Sequence, residues 1–247
     1  MANVIINDAY LTDIAGAIRE KSGSTATYKP KEMATAIYAL PTGGSTVVDD
    51  LSKQILARTL SGEVSLSCDT IGDYALSYMK QMTSFTGDAK TIGNRAFIEN
   101  DRLTTVILPN ATHIGTSAFA LAGLRSVSIP KIVSIGTSAF STSLLSKVDL
   151  GYSISKIYGH AFYNCTFLKA VIIRASAVPN VPENLPPFPV TFYKTYTGTE
   201  PGYIYVPRAM IPAYEAYQAN PYSSNPGYDW WTMLNYRAIE DYPDICG

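Results

Sequence analysis

A six-residue phrase, Ile-Gly-x-x-Ala-Phe, returns along this chain at a near-constant step and restricts what the chain can become. It is written as Ile71-Gly72-Asp73-Tyr74-Ala75-Leu76, then Ile92 to Phe97, Ile114 to Phe119 and Ile135 to Phe140, and more loosely as Ile157-Tyr158-Gly159-His160-Ala161-Phe162. A second track keeps the same phase: Leu103-x-x-Val106-x-Leu108, Leu124-x-x-Val127-x-Ile129, Leu145-x-x-Val148-x-Leu150 and Leu168-x-x-Val171-x-Ile173. A unit this short cannot bury its own apolar face. Copies at a fixed step therefore stack on one another, and the chain reads as a solenoid.

Within one copy, the last two apolar positions of Leu-x-x-Val-x-Leu lie two apart, the period of a strand with one buried face. Pro109 and Pro130 follow that strand and end it. The Ile-Gly step re-enters the core, and Ala-Phe drives a ring inward from a helical turn or an irregular arc. Phe97, Phe119, Phe140 and Phe162 should then form a column as parallel strands stack. The fold class expected is an α+β repeat solenoid, a leucine-rich type of array with a period of about 21–22 positions. It should have a parallel strand stack, a short N-terminal helical pair and an aromatic C-terminal cap.

The flanks read differently. Leu11, Ile14, Ala15 and Ile18 fall at i, i+3, i+4 and i+7, which predicts an amphipathic helix over 8–21, stopped at Gly23. Pro30 suits a first helical turn, and Met33, Ile37 and Leu40 make a second apolar stripe. Two helices this short are marginal alone and need a partner surface, so residues 1–41 read as a docking segment or as a cap folded onto the array. Residues 42–60 are a linker leading to the array, with Gly43-Gly44-Ser45 at its start, and the array itself occupies 61–178. From 179 to 247 a cap is expected: an extended Pro-rich run, a last strand over 203–207, a helix over 209–219 and a further short helix within 228–240.

Chemistry is sparse. A net charge of −1 with 16% charged residues lacks the basic footprint of a nucleic-acid binder and disfavours an anionic membrane surface. Cys68, Cys165 and Cys246 are too few and too scattered for a disulfide framework or a zinc site. His113 and His160 have no acidic neighbour in sequence, and no nucleophile elbow, P-loop or metalloprotease motif occurs. No catalytic residue, metal ligand or cofactor is assigned. The residues beginning at Met1 have neither a basic stretch nor a long apolar run, so neither an export signal nor a membrane span is expected. The outward strand positions, Thr105/Ile107, Ser126/Ser128, Lys147/Asp149 and Ala170/Ile172, make a small, nearly neutral row without hot-spot anchors. Aromatic residues gather beyond residue 190 instead. A cap can bury some of them, such as Trp231, and expose others for glycan stacking or subunit contact; Tyr217, Tyr222, Tyr228 and Trp230 are the surface candidates.

The pattern Leu-x-x-Val-x-Leu-Pro…Ile-Gly-x-x-Ala-Phe resembles the BspA-type leucine-rich repeat, whose usual cysteine after Ala-Phe is present once, as Cys165. The wording of residues 8–40, Leu-Thr-Asp-Ile-Ala-Gly-Ala-Ile…Tyr-Lys-Pro-Lys-Glu-Met-Ala-Thr-Ala-Ile, is similar to a module that opens many tailed-bacteriophage and prophage virion proteins. That resemblance implies a non-enzymatic tail, baseplate or fibre protein, made in a host cytoplasm and resident in the virion. Residues 1–41, with Leu11, Ile14, Ile18, Met33 and Ile37 as the apolar contacts, would dock on other virion proteins, and the repeats would serve as decoration or contact a host-surface glycan or protein. Such appendages are usually homo-oligomers. The rival expectations are a bacterial cell-surface adhesin and, with no paired carboxylates to carry it, a carbohydrate-active enzyme.

Overall fold

A computed structural model describes residues 58–182, 185–194, 196–216 and 231–246. The expectations for residues 1–41, with Leu11, Ile14, Ile18, Met33 and Ile37, and for Tyr217, Tyr222, Tyr228 and Trp230 lie outside the described residues.

Among the described residues the strands, numbered in chain order, are β1 (Ser61–Leu66), β2 (Thr70–Ile71), β3 (Gln81–Gly87), β4 (Thr91–Ile92), β5 (Thr105–Ile107), β6 (His113–Ile114), β7 (Ser126–Ser128), β8 (Ser134–Ile135), β9 (Lys147–Asp149), β10 (Lys156–Ile157), β11 (Ala170–Ile172), β12 (Tyr203–Val206) and β13 (Tyr236–Ala238). The longer strands stack in two four-stranded sheets, β1-β3-β5-β7 and β9-β11-β12-β13, and the two-residue strands form a third, β2-β4-β6-β8-β10. All pairing within these sheets is parallel, and the register keeps the repeat in phase: Val64 opposes Phe85, Phe85 opposes Val106, and Val106 opposes Val127. Each coil bonds its backbone to the next, so the strand propensity of Val and Ile is used where one face is buried.

Between the strands the chain makes neither a helical turn nor an irregular arc. It is a run of tight turns containing two left-handed residues per coil. One column holds Tyr74, Arg95, Ser117, Ser138 and His160, and the other holds Tyr78, Glu99, Leu121, Thr142 and Asn164, all with φ from +53° to +62°. Left-handed backbone costs about 1–2 kcal/mol for a residue with a side chain. It is offset here because alternate N–H groups point along the solenoid axis. Phe97 N–H reaches Ala118 O at 2.7 Å, Phe119 N–H reaches Ala139 O at 2.7 Å, and Phe140 N–H reaches Ala161 O at 2.8 Å. The arcs are thus a further hydrogen-bonded ladder, and the described array contains no helix. The α component among the described residues is two short helices, α1 (Ile211–Glu215) and α2 (Pro243–Cys246), with four 3-10 turns.

The ring column forms. Phe97 stacks on Phe119 with centroids 4.9 Å apart, Phe119 on Phe140 at 5.3 Å, and Phe140 on Phe162 at 5.3 Å. Where the first copy has Leu76 in place of Phe, Phe85 from β3 meets Phe97 edge-on at 4.8 Å. The stacking does not stop at residue 178. Phe188, from the Pro-rich run, continues it at 5.7 Å from Phe162, and Trp231 closes it 5.8 Å from Phe188. Trp231 is buried, and its Nε1–H donates to Pro179 O at 2.7 Å.

The position after Ala-Phe that carries Cys165 does the same work elsewhere with a different residue. Cys165 Sγ donates to Phe140 O, one coil back, at 3.1 Å. At the equivalent position of the second copy, Asn100 Nδ2 donates to Leu76 O at 2.9 Å and Asn100 Oδ1 accepts the Met79 N–H at 2.6 Å. Asn100 is fully buried, so Asn100→Ala strands one backbone donor and one acceptor. At about 1–3 kcal/mol for each buried group left unmade, the expected loss is about 3 kcal/mol in urea unfolding. Asn100→Cys should lose less, because a thiol in this column can remake the carbonyl bond. Equal losses for the two variants would show that packing, not the bond, sets the cost.

Two expectations for the cap are corrected. The strand at 203–206 is not the last, because β13 adds beyond it, pairing Ile204 with Tyr236 and Val206 with Ala238. The region expected to hold a helix within 228–240 contains a 3-10 turn at Trp231–Met233, that strand, and a second 3-10 turn at Ile239–Asp241. Tyr236 and Ala238 lie two apart and match the strand stack in phase, and tertiary pairing overrides the weaker local helical signal. The helix expected over 209–219 is present in part, as a 3-10 turn at Arg208–Met210 leading into α1.

Candidate functional site

The sheet face formed by the longer strands divides into two halves. Over β1 to β7 it presents mostly short polar side chains, Ser84, Thr105 and Ser126 in one row and Thr86 and Ser128 in the next, with Ile107 as an exposed apolar residue between Thr86 and Ser128. Over β9 to β13 it is covered. Ala170 and Ile172, read from the sequence as outward positions, are buried beneath the C-terminal segment together with Tyr205 and Cys246. Ile239, Tyr242 and Ile245 pack over them and make a second small core. Sequence spacing identifies which side of a strand faces outward, but not what folds back upon it.

Polar contacts tie that segment down. Lys147 Nζ donates to Ile245 O at 2.8 Å. Arg174 grips Asp149 through Nε at 2.9 Å and Nη2 at 2.8 Å and also donates to Cys246 O. The hydrogen bond to Asp149 is the main reason the Arg174 guanidinium is held above its ordinary range. Arg237 lies over the Tyr203 ring at 3.5 Å and over Tyr242 at 4.8 Å, a cation–π arrangement that fills the outer face of the last strand.

The groups singled out for chemistry stay apart. His113 is exposed on β6 and contacts Thr112 Oγ1 through Nδ1 at 2.8 Å, whereas His160 lies against the Tyr163 ring with centroids 4.8 Å apart. Among the described residues no group of three or more His, Cys, Asp or Glu side chains could hold a metal ion. The array's acidic residues bind their neighbouring coils instead. Asp88 accepts from Ser67 Oγ and Cys68 N–H, both at 2.9 Å, Asp101 pairs with Lys80 at 2.9 Å, and Asp73 accepts from Asn94 Nδ2 at 3.1 Å. All three cysteines are free and buried, and burial pushes the Cys68, Cys165 and Cys246 thiols up, away from the reactive thiolate.

Among the described residues a groove of about 660 Å³ lies where the last Ala-Phe arc meets the Pro-rich run. Tyr163, Asn164 and Thr166 form one wall, the run from Pro186 to Thr191 supplies the floor and opposite wall, and Tyr193 and Met233 close the end. Its volume falls in the range of ordinary ligand clefts, about 300–1,000 Å³. No lining residue carries a charge, and burial pushes the Tyr193 phenol above its ordinary value, so that ring stays neutral. The rim is apolar and open: Tyr163 is 53% exposed, Val190 67% and Met233 45%.

Sequence reasoning missed this groove. The signal available was the Pro-rich run itself, which carries Phe188 of the ring column between Pro187 and Pro189. That ring follows Phe162 at a longer step than the repeat's own, so a search at fixed phase passes over it.

With the geometry in place, comparison with known proteins adds one match. Residues 61–169 match the family model described as BspA type Leucine rich repeat region, in six copies. The chain thus carries one more copy of the unit than the four Ile-Gly phrases and the looser fifth at Ile157 mark. No curated protein matches the chain.

Proposed function

We propose that this array of BspA-type leucine-rich repeats is the non-enzymatic recognition module of a phage or prophage virion appendage. The chain would belong to a tail, baseplate or fibre, with residues 1–41 docked on other virion proteins through Leu11, Ile14, Ile18, Met33 and Ile37, and the whole assembled as a symmetric oligomer. The observation that carries the reading is the array itself. One continuous apolar core runs through every coil, from Leu60 to Leu234, which makes a stiff support whose outer relief is a polar sheet face and an uncharged groove. A stiff, weakly charged support suits display and contact rather than acid–base chemistry. The similarity of residues 8–40 to a virion module supports placement on a particle.

The rival is a bacterial cell-surface adhesin, which the repeat class fits equally well. Fractionating cells that make the protein separates the two. The expected result is enrichment in density-banded particles, in fixed ratio to the major structural proteins. Recovery in the envelope fraction with none in particles would replace the virion reading with the adhesin.

A further inference from the structure

The arc ladder breaks at one point, and the groove opens there. In each of the first four coils, three arc N–H groups donate to the next coil: Tyr74, Leu76 and Tyr78, then Arg95, Phe97 and Glu99, then Ser117, Phe119 and Leu121, then Ser138, Phe140 and Thr142. The fifth coil makes two such bonds, His160 N–H to Pro186 O at 2.9 Å and Phe162 N–H to Pro187 O at 2.8 Å. The third donor, the Asn164 N–H, has no acceptor among the described residues, because the chain turns away after Phe188 into the 3-10 turn Val190–Phe192. Thr191 Oγ1, in the facing wall, is buried and likewise unpartnered.

Each coil before this one shows what the Asn164 N–H is placed to meet, namely a backbone carbonyl lying across the arc. Around that donor the surface is neutral and apolar, with Val190 and Met233 exposed at the rim. An extended peptide can supply both parts, a carbonyl for the orphan donor and apolar side chains for the groove, as when a strand is added to an open sheet edge. A charged ligand would lose hydration here and find no counter-charge.

We propose that this groove is a docking site for an apolar peptide segment of a partner protein, whose backbone carbonyl takes the acceptor place left open at Asn164. The site stands whether the array is carried by a particle or by a cell, so its failure and the failure of the virion reading are separate results. Its chemistry is uncharged, with two or more large apolar side chains packed on Tyr163, Val190 and Met233.

The test uses the full-length protein and a yeast-displayed library of random linear dodecapeptides. The winning peptide is then synthesised and titrated by fluorescence anisotropy. Enriched sequences should be uncharged over a short core holding at least two large apolar residues. Binding should fall at least tenfold in Val190→Asp and Met233→Asp, both at exposed positions, with unfolding midpoints unchanged. In a residue-resolved hydrogen-exchange experiment, the Asn164 amide should exchange freely in the unliganded protein and at least tenfold more slowly with the peptide bound. The proposal is overturned by any of three results: no enrichment over an unrelated bait, peptides that bind Val190→Asp as well as the parent, or binding that leaves Asn164 exchange unchanged. A neutral oligosaccharide that binds the groove and displaces the peptide without protecting Asn164 would replace the peptide with a glycan.

Discussion

Phe119→Ala is expected to lower stability by about 4 kcal/mol, in the range for truncating a fully buried aromatic side chain. The ring has no exposed surface and stacks on both sides, on Phe97 at 13° between planes and on Phe140 at 5°. Truncation therefore removes two ring contacts and leaves a void between coils that cannot collapse, because hydrogen bonds set the coil spacing on either side. In a quasi-one-dimensional array, stability is a sum over neighbours, so the loss should also weaken coupling between the two halves. Urea unfolding followed by circular dichroism should shift to a lower midpoint, and the transition should broaden or split. A loss under about 1.5 kcal/mol would mean that the ring column is filler and that the backbone ladders carry the cohesion.

Gly136→Ala should be comparably damaging for a different reason. A Cβ at this position would lie 2.7 Å from Gly115 C, 2.8 Å from Thr116 N and 3.0 Å from Gly115 O. Every one of these is a backbone atom of the preceding coil, so no side chain can swing aside. The methyl must separate two coils that the Gly136 N–H to Ile114 O bond holds at 2.8 Å. Overpacking of this kind costs about 3 kcal/mol or more. Gly62→Ala provides the contrast. Gly62 has φ of +68° and nothing within 4 Å of its would-be Cβ. Its substitution brings only left-handed strain, about 1–2 kcal/mol. The two variants, compared by thermal and urea unfolding, separate close approach from backbone handedness. If Gly136→Ala is no worse than Gly62→Ala, the repeat's glycine is not there for coil spacing.

The glycine of Ile-Gly shows why so much of this fold is legible in the primary structure. Its reason lies one coil away, and one coil away is a step of 21 or 22 positions along the chain, as in the bonds from Asn94 to Asp73 and from Thr116 to Asn94. Gly136 meets Gly115, and Phe140 meets Phe119, in the same way. A contact made at constant separation leaves a constant period in the residues that make it, so the stack, its parallel strands and its ring column are legible in the sequence. The turns between strands could not. Ser117, Leu121 and Thr142 adopt left-handed backbone without a glycine to signal it, because the axial hydrogen bonds, not local preference, hold them there.

Periodicity and composition were enough to establish a stacked, weakly charged repeat with an irregular end. The nature of that end had to come from contacts in three dimensions. Phe188 joins the ring column out of phase with the repeat, Trp231 reaches Pro179 across 52 positions, and Arg174 reaches Cys246 across 72. None of these separations recurs, so none leaves a period to read. The covered half of the sheet and the groove with its orphan Asn164 N–H both arise from such contacts. They belong to the place where the repeat ceases to supply its own next coil.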